Sequence, residues 1–275
     1  MTAPALQHPV LERARGSVSL GVAKREERHA VAELAQSGCG RLLFPAIAAG
    51  RPLEAVVVNT SGGLTGGDRF AARVSLAPGA RALATTQACE KIYRSDGSDA
   101  LVETQLSLAE GASLAWLPQE TILFDRARLR RRLSVDMAED ARLLAMEAVL
   151  LGRKASGESL TQGLFRDSWR VRRAGKLVFA EETAFEGDLA VRLAAAATLK
   201  GAAAYATILL VAPDAAGYLQ AARDVLTKEA AEGGVSTFER LCVARLIAQD
   251  GAALRRVLTL LLRALGGELP RVWHT

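Results

Sequence analysis

The chain has 275 residues, of which 50% are apolar and 24% are charged, a balance that is typical of folded globular proteins and excludes a disordered chain. The net charge of +5 raises the question of nucleic-acid binding, but aromatic residues make up only 5% and none interrupts the basic run from Arg126 to Arg132, so we expect no nucleic-acid partner. Three cysteines, Cys39, Cys89 and Cys242, lie far apart without a CxxC pair, which argues against a zinc site and a disulfide framework.

The N-terminal sequence MTAPALQHPVLERAR contains no apolar segment of signal-peptide length. The longest apolar stretch, Leu254 to Leu265, is short and is interrupted by arginines. We therefore expect a cytoplasmic protein without a membrane span. We expect one domain over residues 1–275, with residues 1–14 as a mobile lead.

Between residues 15 and 212 the sequence predicts short strands of alternating polarity joined by tight turns. Three turn segments, SLAPGARALAT, SLAEGASLAWL and DMAEDARLLAM, share one pattern and recur about thirty residues apart, with a fainter copy in RRAGKLVF. Such a period is typical of stacked hairpin or coil units. We predict a mainly β fold, an elongated stack of two β layers.

Helices are predicted only near the C-terminus. One spans about residues 214–230 and ends at Gly233 and Gly234, and a second spans about 251–265 after the capping residue Asp250. The segment STFERLCVARLIAQ between them alternates weakly and is predicted to be a strand.

The stretch NTSGGLTGGDRF places two glycine pairs and Asp68 directly behind the apolar run LEAVVV. A nucleotide-binding loop is excluded, because Asp68 and Arg69 stand where a lysine and a hydroxyl residue are required. One interpretation is a tight turn in which Asp68 accepts backbone hydrogen bonds. The other is a backbone that a cation or a partner chain approaches closely. The four structural glycines are Gly62, Gly63, Gly66 and Gly67.

Several other acids stand in apolar surroundings, where a carboxylate is costly unless it is paired or bound to a metal. They are Glu120, Glu147, Glu158 and Glu181. Basic residues such as Arg153, Lys154, Lys91 and Arg94 could satisfy them. The alternative is a polar path of oxygen ligands that binds divalent cations weakly.

An enzyme is the less favoured hypothesis. The histidines His8, His29 and His274 are scattered, and no serine has GxSxG surroundings. Cys89 could act as the nucleophile of a hydrolase or transferase, with the acids as acid and base, but a buried structural thiol is the better interpretation. A tight metal site is not predicted, since clusters of histidine and cysteine are absent from the sequence.

The basic run RARLRRRL alternates as a strand. Its arginines on one face form a solvated surface or a docking surface for an acidic protein. They are Arg126, Arg128, Arg130 and Arg132, with Ala127, Leu129 and Leu133 on the opposite face.

Several motifs occur together and in order over residues 42–273, namely SGGLTGGD, TTQACEKIYRS, WLPQETILFD, GRKASGE, RDSWRVRRAGKLVFAEE and PRVW. In this combination the chain resembles the urease accessory protein family UreD, called UreH in some genomes. The resemblance implies a mostly β, non-catalytic maturation factor. It implies a complex with UreF and the GTPase UreG that docks on apo-urease and helps to insert nickel.

The resemblance also implies a polar internal route for nickel in transit, with no tightly bound cofactor. By motif, Asp68, Glu120, Glu147, Glu158 and Glu181 are the acids expected to line or gate that route. One departure concerns Asn59, Thr60 and Ser61, which stand where members of the family often have His-Pro-Pro. A histidine ligand is therefore excluded there, and oxygen ligands remain. A plain β-repeat interaction protein without a metal route stays open as the alternative.

Overall fold

A computed structural model describes residues 12–48, 50–153 and 156–273, and within these ranges the chain forms two sheets and three α-helices. The strands are β1 (Arg15–Arg25), β2 (Arg28–Gly38), β3 (Gly40–Leu43), β4 (Leu53–Asn59), β5 (Arg69–Leu76), β6 (Arg81–Thr86), β7 (Glu90–Ile92), β8 (Ala100–Leu108), β9 (Ser113–Trp116), β10 (Thr121–Leu123), β11 (Arg128–Met137), β12 (Arg142–Leu151), β13 (Gln162–Arg173), β14 (Lys176–Asp188), β15 (Ala204–Val211), β16 (Glu232–Phe238) and β17 (Leu241–Ala248). The helices are α1 (Leu189–Ala194), α2 (Leu219–Lys228) and α3 (Gly251–Ala264), with 3-10 turns at Ala215–Tyr218 and Arg271–Trp273.

The two sheets have parallel centres and antiparallel edges. Sheet A has the order β14-β13-β11-β8-β5-β1-β2, in which β1, β5, β8, β11 and β13 run parallel. Sheet B has the order β16-β17-β15-β12-β9-β6-β4-β3, and its strands β4, β6, β9 and β12 run parallel. The short strands β7 and β10 pair with each other, and β10 also pairs with β12.

The repeated turns carry the chain from sheet A to sheet B after β5, β8 and β11. Successive turns stack through hydrogen bonds: Gly79 N–H donates to the Glu110 carbonyl at 2.8 Å, and Gly111 N–H donates to Asp140 Oδ1 at 3.0 Å. The thirty-residue period therefore belongs to stacked coils and not to hairpins. The fainter copy RRAGKLVF is different, because it joins β13 and β14 as a hairpin within sheet A.

Apolar residues fill two layers, one on each side of sheet B. The first layer lies between the sheets and includes the fully buried Phe165 and Trp169. The second lies between sheet B and helices α2 and α3, whose apolar faces include Leu258 and Leu262. Helix α1 contributes Leu189 and Leu193 to the first layer. The described helices therefore leave the outward face of sheet A open.

The predicted mainly β fold with stacked layers is confirmed. Helices α2 and α3 lie inside the predicted ranges, but α1 was not predicted. The single strand predicted in STFERLCVARLIAQ is wrong, because the chain turns at Glu239, which has φ 48°, and forms the hairpin of β16 and β17. No helix in the described ranges is long and apolar enough to span a membrane. Most of the predicted mobile lead, residues 1–11, lies outside the described residues, as do His8 and His274.

The C-terminal motif PRVW fastens the end of the chain to sheet B. Trp273 is buried, and its Nε1 donates to Thr85 Oγ1 at 3.2 Å. The guanidinium of Arg255 lies over the Trp273 ring, 4.4 Å from its centroid. The backbone N–H of Arg271 donates to Glu54 Oε1 at 2.9 Å. These contacts bring α3 and the chain end together over the same part of sheet B.

Trp273→Ala is expected to lower the free energy of unfolding by about 3–5 kcal/mol, because a buried ring and its cation–π contact are lost together. Trp273→Phe keeps an aromatic ring beneath Arg255 and is expected to cost less, about 1–2 kcal/mol, mainly through the lost hydrogen bond. Urea unfolding of both variants measures this. Equal losses in the two variants would contradict the assigned role of the ring.

Candidate functional site

A cavity of about 230 Å³ lies between the two sheets, close to the glycine stretch. Side chains of β5, β8 and β11 form one wall, and side chains of β4, β9 and β12 form the other. Its polar lining comes largely from the segment before and within β7 and from the buried centre of the sandwich. These residues are Asn59, Thr86, Gln87, Cys89, Glu90, Lys91, Thr104, Gln119, Thr121, Arg131 and Glu147.

A buried ion cluster forms the inner end of this cavity. Arg131 lies on the inward face of β11, and its guanidinium binds Asp167 through two bonds of 3.1 and 2.6 Å. The same guanidinium donates to Glu147 and, at 3.0 Å, to Thr121 Oγ1. Because Asp167 belongs to sheet A and Glu147 to sheet B, Arg131 links the two sheets across the interior.

The ion cluster carries more carboxylate than guanidinium charge. Burial raises the pKa of the Glu147 carboxyl above its ordinary value, and Arg131 opposes that rise. Trp169 Nε1 donates to Asp167 at 3.2 Å. Burial raises the pKa of the Tyr205 hydroxyl well above its ordinary value. This hydroxyl has no hydrogen-bond partner in the described parts of the chain. The interior around the ion cluster is therefore polar, and not all of its hydrogen-bonding groups have partners.

Glu90 is a half-buried carboxylate of the cavity, and among the described residues no arginine binds it. Its two oxygens accept from Asn59 Nδ2 at 3.2 Å each, and burial raises its pKa to about 7. Near neutral pH it is therefore present in both protonation states. A cation that enters the cavity would displace the proton and meet a carboxylate with little competition for its oxygens.

Cys89 lies next to Glu90 with its thiol directed at Glu120, 3.4 Å from Sγ to Oε2. Burial, together with the Glu120 charge, raises the pKa of the Cys89 thiol to about 11. A thiol that holds its proton at neutral pH is a weak nucleophile. This environment does not favour the hydrolase or transferase hypothesis.

The glycine stretch forms a tight connection around Asp68. Asp68 is buried, and its oxygens accept the backbone N–H groups of Ala14 at 2.7 Å and Thr65 at 2.8 Å. Gly66 permits a close approach, since a Cβ there would lie 2.5 Å from the Ser98 carbonyl oxygen. Asp68 does not belong to the cavity lining, and the turn interpretation describes its bonds.

The other predicted acids are held separately by arginines. Glu120 binds Arg255 Nε at 2.7 Å, and Glu158 binds Arg153 Nε at 2.8 Å. Glu181 accepts from Thr207 at 2.9 Å and from Arg245 Nε at 3.1 Å, and it lines a separate groove between β14 and the strands β15 to β17. Lys154 lies outside the described residues.

The structure therefore does not bring the five predicted acids together, and Glu147 alone among them lines the cavity. Within the described ranges, no group of three or more His, Cys, Asp or Glu side chains is arranged to hold a metal ion.

Three arginines of the predicted row, Arg128, Arg130 and Arg132, lie on the outward face of β11. Arg126 lies in the turn before β11 with φ 61°, 3.8 Å from Asp125. Arg128 and Arg130 both bind Asp99, the former at 2.7 Å. Arg132 is exposed and has no ion pair among the residues that the structure describes.

Two residues of the site, Arg131 and Glu90, were not predicted from the sequence. Arg131 lies two residues from both Leu129 and Leu133, so it is on the same face of the alternating strand as these apolar residues. This spacing indicates an arginine that points inward. Glu90 lies beside Cys89 in a short segment without clear periodicity, so its burial could not be inferred from a pattern.

Comparisons with known proteins give one consistent result. A family profile described as "UreD urease accessory protein" matches residues 14–274. The chain is 48% identical over 265 residues to the urease accessory protein UreD of Rhizobium rhizogenes, covering 96% of both chains. It is 45% identical over 269 residues to the urease accessory protein UreD 1 of Brucella abortus, covering 96% of this chain and 95% of the relative.

Arg131→Met is expected to lower the free energy of unfolding by about 3–5 kcal/mol, because Glu147 and Asp167 lose their shared cation inside the protein. Arg130→Met, one residue away on the exposed face, is the control and should cost about 0–1 kcal/mol. Chemical denaturation compares them. A small and equal cost in both variants would show that the buried cluster does not link the sheets.

Glu90→Gln tests the raised pKa of Glu90 by its effect on stability. The folded pKa of about 7 exceeds the ordinary value of 4.5, so this carboxyl favours the folded state below pH 4.5 and that contribution is lost as the pH rises to about 7. The variant cannot ionise, and at pH 8 it should be more stable than the wild type by about 3 kcal/mol. At pH 4 the two should agree, and a constant difference across the pH range would contradict the assignment.

Proposed function

The chain belongs to the UreD family of urease accessory proteins, and we propose that it is a non-catalytic urease maturation factor that assembles with UreF and the GTPase UreG on apo-urease. In this role the chain is a scaffold in the cytoplasm, and the partner GTPase supplies nucleotide hydrolysis. The proposed outcome of the assembly is the insertion of nickel into the urease active site.

The observation that carries this proposal is similarity over nearly the whole chain. The profile covers residues 14–274, and relatives that share 44–48% identity are named as urease accessory proteins. The site supports the non-catalytic part, because the Cys89 thiol has a pKa of about 11 and its described neighbours include no histidine that could act as a base.

For the nickel route, we propose transit through the cavity between the sheets. Glu90 is the favoured transient ligand, since Asn59 is its side-chain partner and no arginine in the described ranges binds its oxygens. Glu147 lies at the inner end of the cavity, and Glu120 lies beside Cys89. Asp68, Glu158 and Glu181 lie outside the cavity lining and are already bound within the chain, so the proposed route does not use them. Single oxygen ligands of this kind release a divalent cation readily, which suits transfer better than storage.

A scaffold without a metal route is the second candidate, and one observation favours it. Four of the predicted acids, Glu120, Glu147, Glu158 and Glu181, each bind an arginine. A carboxylate in such a pair is a poor ligand unless the arginine moves away. In that case the chain would hold its partners together while nickel reaches urease by another path.

Urease maturation in cells that lack the gene for this chain tests the proposal. Restoring the gene should restore nickel-dependent urease activity and the nickel content of purified urease. If wild-type chain restores neither, the maturation role is wrong.

Glu90→Gln separates the route from the scaffold. Transit through the cavity predicts that this variant lowers urease nickel content several-fold while a pull-down still recovers the accessory complex. Glu110→Gln, an exposed acid in the turn between β8 and β9, is the control and should behave as wild type. Full nickel content with Glu90→Gln would favour the scaffold without a metal route.

A further inference from the structure

The outward face of sheet A is an uncovered face of a mainly parallel sheet. Helices α2 and α3 pack against sheet B, and α1 turns its apolar residues toward the interior. Parallel sheets in proteins are ordinarily covered on both faces. The side chains on this face therefore indicate what can cover it.

Arginine dominates this face. The outward positions of the five parallel strands are otherwise mostly serine, glutamine and alanine, with Gly21, Leu101, Leu164 and two carboxylates, and none of them is aromatic. The arginines are Arg15, Arg69, Arg73, Arg128, Arg130, Arg132, Arg166, Arg170 and Arg172, and the carboxylates of the whole face, edge strands included, include Glu33, Glu103, Asp136, Glu182 and Glu186.

The strand register sets two pairs of arginines against each other. Arg15 lies directly opposite Arg69 in the pairing of β1 with β5, and Arg130 lies directly opposite Arg166 in the pairing of β11 with β13. Arg132 and Arg172 instead lie opposite carboxylates, Glu103 and Asp136, but form no ion pair with them. Like charges in directly opposed positions destabilise a sheet. An anionic surface placed over the face would relieve the repulsion within the two arginine pairs.

Part of this charge is neutralised within the chain. Asp99 binds Arg128 and Arg130 at one edge, and Glu182 binds Arg166 and Arg170 on the adjacent strands. The remaining five arginines of the face have no ion pair among the described residues. One of them, Arg73, donates to Gln105 at 3.0 Å, and the other four are Arg15, Arg69, Arg132 and Arg172.

The geometry of the face suits carboxylates on another protein. Adjacent strands lie about 4.8 Å apart and outward residues on one strand repeat about every 6.6 Å, so the guanidinium groups form a flat array. Guanidinium forks bind carboxylates through two parallel hydrogen bonds. The absence of aromatic side chains at the outward positions of the parallel strands removes the stacking that single-stranded nucleic acids use.

We propose that the outward face of sheet A is the docking surface for a carboxylate-rich surface of a protein partner, with Arg69, Arg132 and Arg172 as its principal contacts. This inference rests on the proposed function, because it takes the partner to be a protein of the urease assembly. It moves the contact away from Arg128 and Arg130, because Asp99 already binds them. Complementary charge of this kind speeds association and selects the partner.

The test uses the full chain carrying Arg69→Glu and Arg132→Glu together, with apo-urease and the accessory proteins of the same organism as the probes. The matched control carries Lys228→Glu and Arg263→Glu, exposed residues on α2 and α3 with the same change in charge. Thermal unfolding verifies that each variant is folded. Arg69→Gln with Arg132→Gln replaces the first variant if charge reversal prevents folding.

The expected result is a loss of capture of one probe by about tenfold or more in the face variant at about 150 mM salt, with the control unchanged. Wild-type capture should weaken as salt is raised. Unchanged capture by the face variant overturns the inference, and so does an equal loss in both variants, which would indicate net charge alone. Random duplex DNA or anionic lipid vesicles that compete with the protein probe through the same arginines also overturn it.

Urease activation by the wild-type chain keeps the two proposals apart. If the wild-type chain does not support activation, the maturation role fails whatever the capture shows. If it does, and the face variant captures every probe as well as wild type, only the docking surface is wrong.

Discussion

A buried guanidinium cannot be left without partners, and the position of Arg131 therefore constrains the centre of the molecule. Its fork binds Asp167 within sheet A and reaches Glu147 in sheet B. This link fixes the two sheets relative to each other at the place where the cavity begins. The stacked turns define the path of the coils, and the ion cluster keeps the space between the two sheets polar.

The same constraint divides the acids into two kinds. Carboxylates bound by arginine, such as Glu120 and Glu147, stabilise the scaffold and have little capacity left for another cation. Glu90 retains that capacity, because burial favours its proton while Asn59 supplies only weak neutral hydrogen bonds. The two faces of the molecule differ as well, since helices cover sheet B and the arginine face of sheet A stays open.

The stacked coils could be predicted from the sequence because each coil repeats the same short residue pattern. Apolar strand, alanine, two turn formers and alanine recur wherever the chain passes between the sheets, as around Gly79 and Gly111. The hairpin of β16 and β17 was missed because its turn at Glu239 contains no glycine or proline. The partners of the acids could not be predicted, since Arg255 lies 135 residues from Glu120 in sequence and only the folded chain brings them together.

Anomalous diffraction at the nickel absorption edge, from crystals of the full chain soaked with nickel, tests the cavity route most directly. The account predicts a partly occupied peak between the sheets, with a Glu90 oxygen as the nearest protein ligand and no displacement of Arg131 from Glu147. Nickel found only on the outer surface, with the cavity empty under conditions in which the chain supports urease activation, would contradict it.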